Sequence, residues 1–177
     1  VHDRTDYDLK QHAKFSGTPL EAHDEATGQK FIPHVLEIAF GTDRPVFTLL
    51  DNFYDQKIKD EGKTVLKLPY HMSPMPVAVF PLMKKPELVA KATAIHDMLN
   101  KEMVCEYDET GAIGRRYLRA AEAGTAFCIT VDYESLEGEE TVTIRDRDTE
   151  RQKRVKTKEL KDTLKKLISE ELKFDEL

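Results

Sequence analysis

The sequence predicts an α/β fold: a mixed β-sheet flanked by helices, preceded by a separate strand-and-helix segment. Three observations carry this expectation. Between Pro76 and Lys156, short apolar runs of strand length alternate with segments whose apolar residues recur at helical spacing. The order of these segments is β-α-β-α followed by a hairpin, which builds a sheet with both parallel and antiparallel pairs. The stretch PYHMSPMP at 69–76 places three prolines in eight residues shortly after the charged run DQKIKDEGK, and this is the clearest boundary signal in the chain.

Taken in order, Val1 to His12 (VHDRTDYDLKQH) has a β-prone start, with Asp3, Asp6 and Asp8 on a solvated strand face. Acids of this kind are readily tolerated at a surface, and no metal site is assigned to them. Ser16 to Lys30 holds Gly17, Pro19 and Gly28 and reads as a loop or hairpin between two strands. Phe31 to Phe40 is an apolar strand in which Val35, Leu36, Ile38 and Phe40 are interrupted by Glu37. A carboxylate in a buried strand needs a partner or a ligand to offset its desolvation. Gly41 turns the chain, Asp43 is a favourable N-cap and Pro45 suits a first helical position. A helix is therefore expected from Val46 to Tyr54, with Arg44 projecting from its start. Spacing alone allows Glu37 and Arg44 to form a structural ion pair.

Beyond the proline-rich boundary, Pro76 to Leu82 is a continuous apolar run of strand length. Pro86 to Glu102 follows as a helix with Leu88, Val89, Ala92, Ile95 and Leu99 on its apolar stripe, and Met103 to Tyr107 is a strand. Ala112 to Ala123 is helical, Thr125 to Tyr133 is a strand, and Glu140 to Arg147 and Arg151 to Lys156 form a hairpin about Asp148 and Thr149. A helix from Lys158 to Leu172 closes the fold with Leu160, Leu164, Leu167, Ile168 and Leu172 inward. The expected core strands contribute Val77, Val79, Phe80, Cys105, Phe127, Ile129, Val131, Val142 and Ile144.

A net charge of −6 argues against a protein that coats nucleic acid by bulk electrostatics, so any RNA contact must be made by a local site. Cys105 and Cys128 sit in apolar strand-like runs without metal-ligand spacing and read as buried thiols, which fits a reducing, cytoplasmic setting. No run approaches the ~18 apolar residues that would cross a bilayer, and no membrane partner is expected. The chain starts at Val1 in the middle of a pattern, and a larger parent of which this is the carboxyl-terminal part is expected.

Two clusters carry chemistry. Arg115, Arg116 and Arg119 share one helix with Tyr117, combining rigid guanidinium forks with an aromatic face, a pairing suited to splayed single-stranded bases. In the strand from Thr141, Val142 and Ile144 face one way while Thr143, Arg145 and Arg147 face the other, giving one core face and one basic face. The alternative is that these arginines pair with Glu122, Asp146, Asp148 and Glu150 on an ordinary surface.

Phe31 to Arg44, FIPHVLEIAFGTDR, resembles motif 3 of the class II aminoacyl-tRNA synthetases in the glycyl-tRNA synthetase form of archaeal and eukaryotic type. VHDRTDYDLKQH resembles the segment that precedes that motif, and YDETGAIGRRYLRAAEAGTAFCITVDYESL with TVTIRDRDTERQKRV resembles the same family's anticodon-binding domain. The resemblance implies that residues 1–62 are the end of a class II antiparallel catalytic sheet and 63–177 the anticodon-binding domain. It further implies ATP-dependent activation of glycine, with Mg2+, and transfer to glycine tRNA by a homodimeric enzyme. Arg44 and Gly41 would bind ATP. Glu37 would act in catalysis with Arg44 and would bind the substrate, with Arg4 and Ala39 beside it. Arg115, Arg116, Arg119, Arg145 and Arg147 would meet the anticodon.

Motifs 1 and 2 are absent, so the chain by itself is expected to be inactive. Ala39 stands where the family has serine, and Leu118, Ala120, Ala121, Ala123 and Ala126 replace larger or polar residues. These departures leave two other readings: a non-catalytic synthetase-like accessory protein that binds nucleic acid, and a free-standing anticodon-domain module.

Overall fold

The computed structural model describes residues 1–56, 63–138 and 140–177. The chain forms two compact units, Val1–Val46 and Phe47–Leu177. In the first, β1 (His2–Asp3) precedes α1 (Tyr7–Ser16), and a short antiparallel hairpin follows, β2 (Ala22–His23) with β3 (Lys30–Phe31). Strand β4 (Leu36–Glu37) returns to pair antiparallel with β1, His2 opposite Glu37 and Asp3 opposite Leu36. Helix α2 (Asp43–Phe53) carries the chain from the first unit into the second.

Three expectations are corrected here. Asp3 lies exposed in β1 as expected, but Asp6 and Asp8 lie at the start of a helix, because Asp6 pairs with Lys10 one turn on at 2.6 Å and Arg4 with Asp8 at 2.8 Å. Gly17, at φ 70°, ends that helix and donates its N–H to the Ala13 carbonyl. The long apolar strand over 31–40 reduces to β3 and β4, and Leu36, Ile38 and Phe40 are exposed. Among the described residues β4 pairs only with two-residue β1, so the run lacks the neighbours that would extend and cover it. Helix α2 begins at Asp43 rather than Val46, with the Val46 N–H donating to the Thr42 carbonyl at 3.1 Å. The boundary expected near residue 62 lies outside the described residues.

In the second unit β5 (Tyr54–Gln56) pairs antiparallel with β6 (Thr64–Leu66). The remaining strands form one mixed sheet: β7 (Val77–Pro81), β8 (Cys105–Tyr107), β9 (Phe127–Val131), β10 (Thr141–Asp146) and β11 (Gln152–Lys156). Their order is β11-β10-β9-β7-β8. β7 is parallel to both β8 and β9, and β10 is antiparallel to β9 and β11. The parallel pairs need long crossovers, which α3 (Pro86–Leu99) and α4 (Ile113–Glu122) supply, while α5 (Thr157–Ile168) closes the chain.

Strand alternation gives the sheet two unlike faces. Val77, Val79, Phe127, Ile129, Val131, Val142 and Ile144 pack against α3 through Leu88, Ala92, Ile95 and Leu99, and against α5 through Leu160, Leu164 and Leu167. The opposite face carries Ala78, Phe80 and Cys128 beneath Ala120 of α4. All nine expected strand-core residues are buried.

Burial pushes both thiols up to about 12, and for Cys128 it outweighs the opposing charge of Arg145. No helix among the described residues is long and apolar enough to cross a membrane. Replacing the fully buried Ile144 by alanine should cost ~2–5 kcal/mol of stability, seen as a lower urea midpoint at unchanged slope. A loss below ~1 kcal/mol would show that this layer is not close-packed.

Candidate nucleic-acid interface

The site is built around α4. That helix ends in a Schellman turn: Gly124, at φ 84°, donates to the Ala121 carbonyl and the Thr125 N–H donates to the Ala120 carbonyl. A Cβ at Gly124 would also stand 3.2 Å from Leu66 Cδ2, so the position needs glycine for both conformation and space. This turn delivers β9 beside α4 and sets Tyr117 over the sheet, its hydroxyl sharing a 2.5 Å hydrogen bond with Thr130 Oγ1. Tyr117 also packs tilted against Phe80 at 5.9 Å between ring centroids.

Of the helix arginines, Arg116 points into the protein. It is 2% exposed, and its guanidinium donates to the carbonyls of Pro81 at 2.6 Å, Leu82 at 3.3 Å and Asp108 at 3.3 Å. Arg119 closes the loop after β8, donating to Asp108 Oδ2 at 2.5 Å and to the Thr110 carbonyl at 2.8 Å. Arg115 is exposed. On β10, Arg145 lies with its guanidinium carbon 4.7 Å above the Tyr117 ring, a cation–π stack that holds the fork at the surface. Arg147 is directed inward, because β10 ends at Asp146 and the alternation stops one residue before it. Its donors reach the Gly124 carbonyl at 3.0 Å and the Leu68 carbonyl at 2.6 Å, and Asp148 at 2.8 Å neutralises its charge. Arg116 and Arg147 are thus interior fasteners. The expectation that both present their guanidiniums to RNA is corrected by their burial.

Arg115, Tyr117 and Arg145 line a cavity of about 460 Å³ between α4, β6 and the open part of the sheet, with Val65, Leu118 and Ala121 among its apolar walls. Its volume suits a small ring system, and its lining is apolar with a few charged groups at the mouth. Of the polar lining residues, Lys63 and Thr125 were not singled out from sequence. Lys63 arrives through the β5–β6 hairpin, a tertiary packing with no local signal. Thr125 follows the Gly124 turn, and its hydroxyl oxygen is buried without a hydrogen-bond partner among the described residues. Glu150, in the hairpin turn after β10, is one of the acids the sequence offered as partners for these arginines, and it pairs with Arg145 at 3.0 Å while lining the same cavity.

In the first unit, β1–β4 pairing brings Arg4 to Glu37, with Nε to Oε2 at 3.6 Å, while Asp8 takes Nε and Nη2 of Arg4 at 2.9 and 2.8 Å. The hydrogen bond from Arg4 holds Asp8 below the usual carboxylate range and, with its charge, raises Arg4. Ala39, Gly41 and Arg44 are exposed along the turn into α2.

With this sheet order and the basic, aromatic open face, the class is defined. The chain belongs to the anticodon-binding domain family: the family model described as "Anticodon binding domain" matches residues 76–167, just over half of it. Among individual proteins it is similar to "Glycine--tRNA ligase" of Ruminiclostridium cellulolyticum, 45% identical over 162 residues, 90% of this chain and 34% of that protein. Its similarity to "Glycine--tRNA ligase" of Clostridium tetani is 44% over 176 residues, 98% and 36% of the two chains. With the protein of the same name from Chlorobaculum tepidum it shares 42% over 156 residues, 88% and 33%. The chain thus spans about a third of the length of the curated relatives it matches.

Two outcomes test these roles. Arg147→Ala should destabilise the second unit by ~2–4 kcal/mol, because the buried Leu68 carbonyl loses its Arg147 donor and the Gly124 carbonyl keeps only that of Ser73 Oγ, whereas Arg115→Ala should change stability by less than ~0.5 kcal/mol in urea titrations. Acid should also weaken the fold. Burial opposes ionisation of Asp132, but hydrogen bonds from Arg154 and Ser135 outweigh it and keep its carboxyl below the ordinary range. Its contribution is fully present above the unfolded value of ~4 and is lost as pH falls through the depressed folded value. Urea midpoints measured from about pH 5 to pH 2 should therefore fall, and fall less in Asp132→Asn.

Proposed function

We propose that this chain is the carboxyl-terminal portion of a glycine–tRNA ligase, with residues 63–177 recognising the anticodon arm of glycine tRNA and residues 1–62 ending the catalytic domain. The observation that carries the reading is the open sheet face, where Arg145 stacked on Tyr117 and exposed Arg115 border a cavity with room for a nucleobase in an anticodon-binding domain. Near-full coverage of this chain by proteins named glycine–tRNA ligase supports the choice of amino acid.

In the intact enzyme the glycine carboxylate attacks the α-phosphate of ATP, pyrophosphate leaves, and a terminal ribose hydroxyl of the tRNA takes the glycyl group from the resulting adenylate as AMP leaves. Such chemistry depends on positioning and charge stabilisation more than on covalent help from the protein. In this reading Arg44 and Gly41 bind ATP, Arg44 and Glu37 act at the reacting centre, and Glu37 and Arg4 hold glycine with Ala39 beside them. The close approach of Arg4 to Glu37 supports a shared amino-acid pocket. In this reading Mg2+ enters as the companion of ATP. A cytoplasmic homodimer fits the reading. Ala39 in place of a serine favours a second reading, a non-catalytic relative that keeps only nucleic-acid binding.

On the RNA side, Arg115, Arg119 and Arg145 make contact, and Arg116 and Arg147 hold the contacting elements in place. Arg115→Ala and Arg145→Ala should each weaken binding of glycine tRNA. A residue that reads a base costs ~1–3 kcal/mol with relaxed preference at that base, and one that meets a phosphate flattens the salt dependence by about one unit for all RNAs. Unchanged affinity of both variants across a salt series would refute the interface. The 177-residue chain alone should give no glycine-dependent exchange of pyrophosphate into ATP, and measurable exchange would contradict the assignment of residues 1–62.

A further inference from the structure

We infer that Glu150 is a specificity-determining residue of this face: its carboxylate occupies the seat of an RNA phosphate, so that only RNA making further contacts displaces it. The inference rests on the proposal that RNA binds here. In the free protein Glu150 Oε2 accepts from Arg145 Nη2 at 3.0 Å, its carbonyl accepts from Nη1 at 2.6 Å, and Oε1 stands 3.7 Å from Lys63 Nζ. Arg145, Lys63 and Glu150 all border the same cavity. A carboxylate and a phosphodiester each present two oxygens sharing one negative charge, and an arginine fork accepts either in the same geometry.

The exchange is mechanically free. Glu150 lies in a turn with φ 58°, and that turn is closed by Glu150 N–H to the Asp146 carbonyl and Asp146 N–H to the Arg151 carbonyl, each at 3.0 Å, and by the Asp146 carboxylate accepting from Thr149, none of which uses the Glu150 side chain. Its side chain is 43% exposed and can swing outward without opening the hairpin. Arg145 does not follow, because the Tyr117 ring and the Glu150 carbonyl keep its guanidinium in place. An RNA that offers only backbone charge exchanges one anion for another at this seat and gains little. An RNA that also places a base in the cavity gains contacts that the carboxylate cannot supply. Discrimination is a difference of affinities, and an internal competitor lowers the wrong affinity more than the right one.

The experiment measures binding of the 177-residue chain to fluorescent glycine tRNA and to an unrelated tRNA across a sodium chloride series, for wild type, Glu150→Gln, Glu150→Asn and Arg145→Ala. Glutamine keeps the length without the charge, and asparagine suits the positive φ, so one of the two preserves the turn if the other does not. Both should bind the unrelated tRNA about three- to tenfold more tightly at low salt, the scale of one to two exposed ion pairs. Glycine tRNA should gain less, and the salt slope should steepen by about one unit. Equal or weaker binding of both tRNAs by the amide variants, while Arg145→Ala still weakens binding, would overturn the role of Glu150 and leave the interface standing. If wild type shows no salt-dependent tRNA binding and Arg145→Ala changes nothing, the interface itself fails and the inference with it.

Discussion

The open face of the sheet depends on the buried guanidinium of Arg147. Its side chain is 1% exposed and joins three separate segments: the end of β10, the Schellman turn through the Gly124 carbonyl, and the chain after β6 through the Leu68 carbonyl. A buried charge is tolerated only when paired and fully hydrogen-bonded, and here Asp148 supplies the counter-charge while the carbonyls take the remaining donors. The Tyr70 ring lies 5.5 Å from the guanidinium carbon, and its hydroxyl donates to Asp146 at 2.9 Å. Burial first, and Asp146 second, push that hydroxyl above its ordinary pKa, so it stays a neutral donor. Asp146 also accepts from the Thr149 N–H and hydroxyl. The turn that carries Glu150, and through it the seat of Arg145, is therefore fixed from the inside.

A second constraint is the asymmetry of the sheet. One face is closed by two helices with leucine-rich stripes, and the other is covered by α4 through small residues, Ala78, Ala120 and Cys128, together with Phe80. Small side chains let the helix lie close to β7 and β9 and leave the region above β10 uncovered, so Tyr117 and Arg145 meet there with a cavity beside them. Arg116 fixes the same helix from below by holding the carbonyls at the end of β7. The two interior arginines determine where the exposed ones stand, and a basic surface arises on a chain whose net charge is −6.

Much of this was determined by the sequence itself. Apolar runs at Val77–Pro81 and Phe127–Val131, the alternation over Thr141–Asp146, and the helical stripes over 86–99 and 157–168 specify their elements because period and length there agree with local propensity. Tertiary structure decided the rest. Arg145 and Arg147 share one strand parity, yet β10 ends between them and one side chain stays on the surface while the other turns into the core. Arg115 and Arg116 are neighbours, and the 100° step of the helix sends one outward and the other beneath the sheet edge. Lys63 reaches the cavity only because one hairpin packs beside α4. The strand foreseen over 31–40 remains two pairs of residues, because a strand's extent is set by the partners across its ladder and not by its own apolar run.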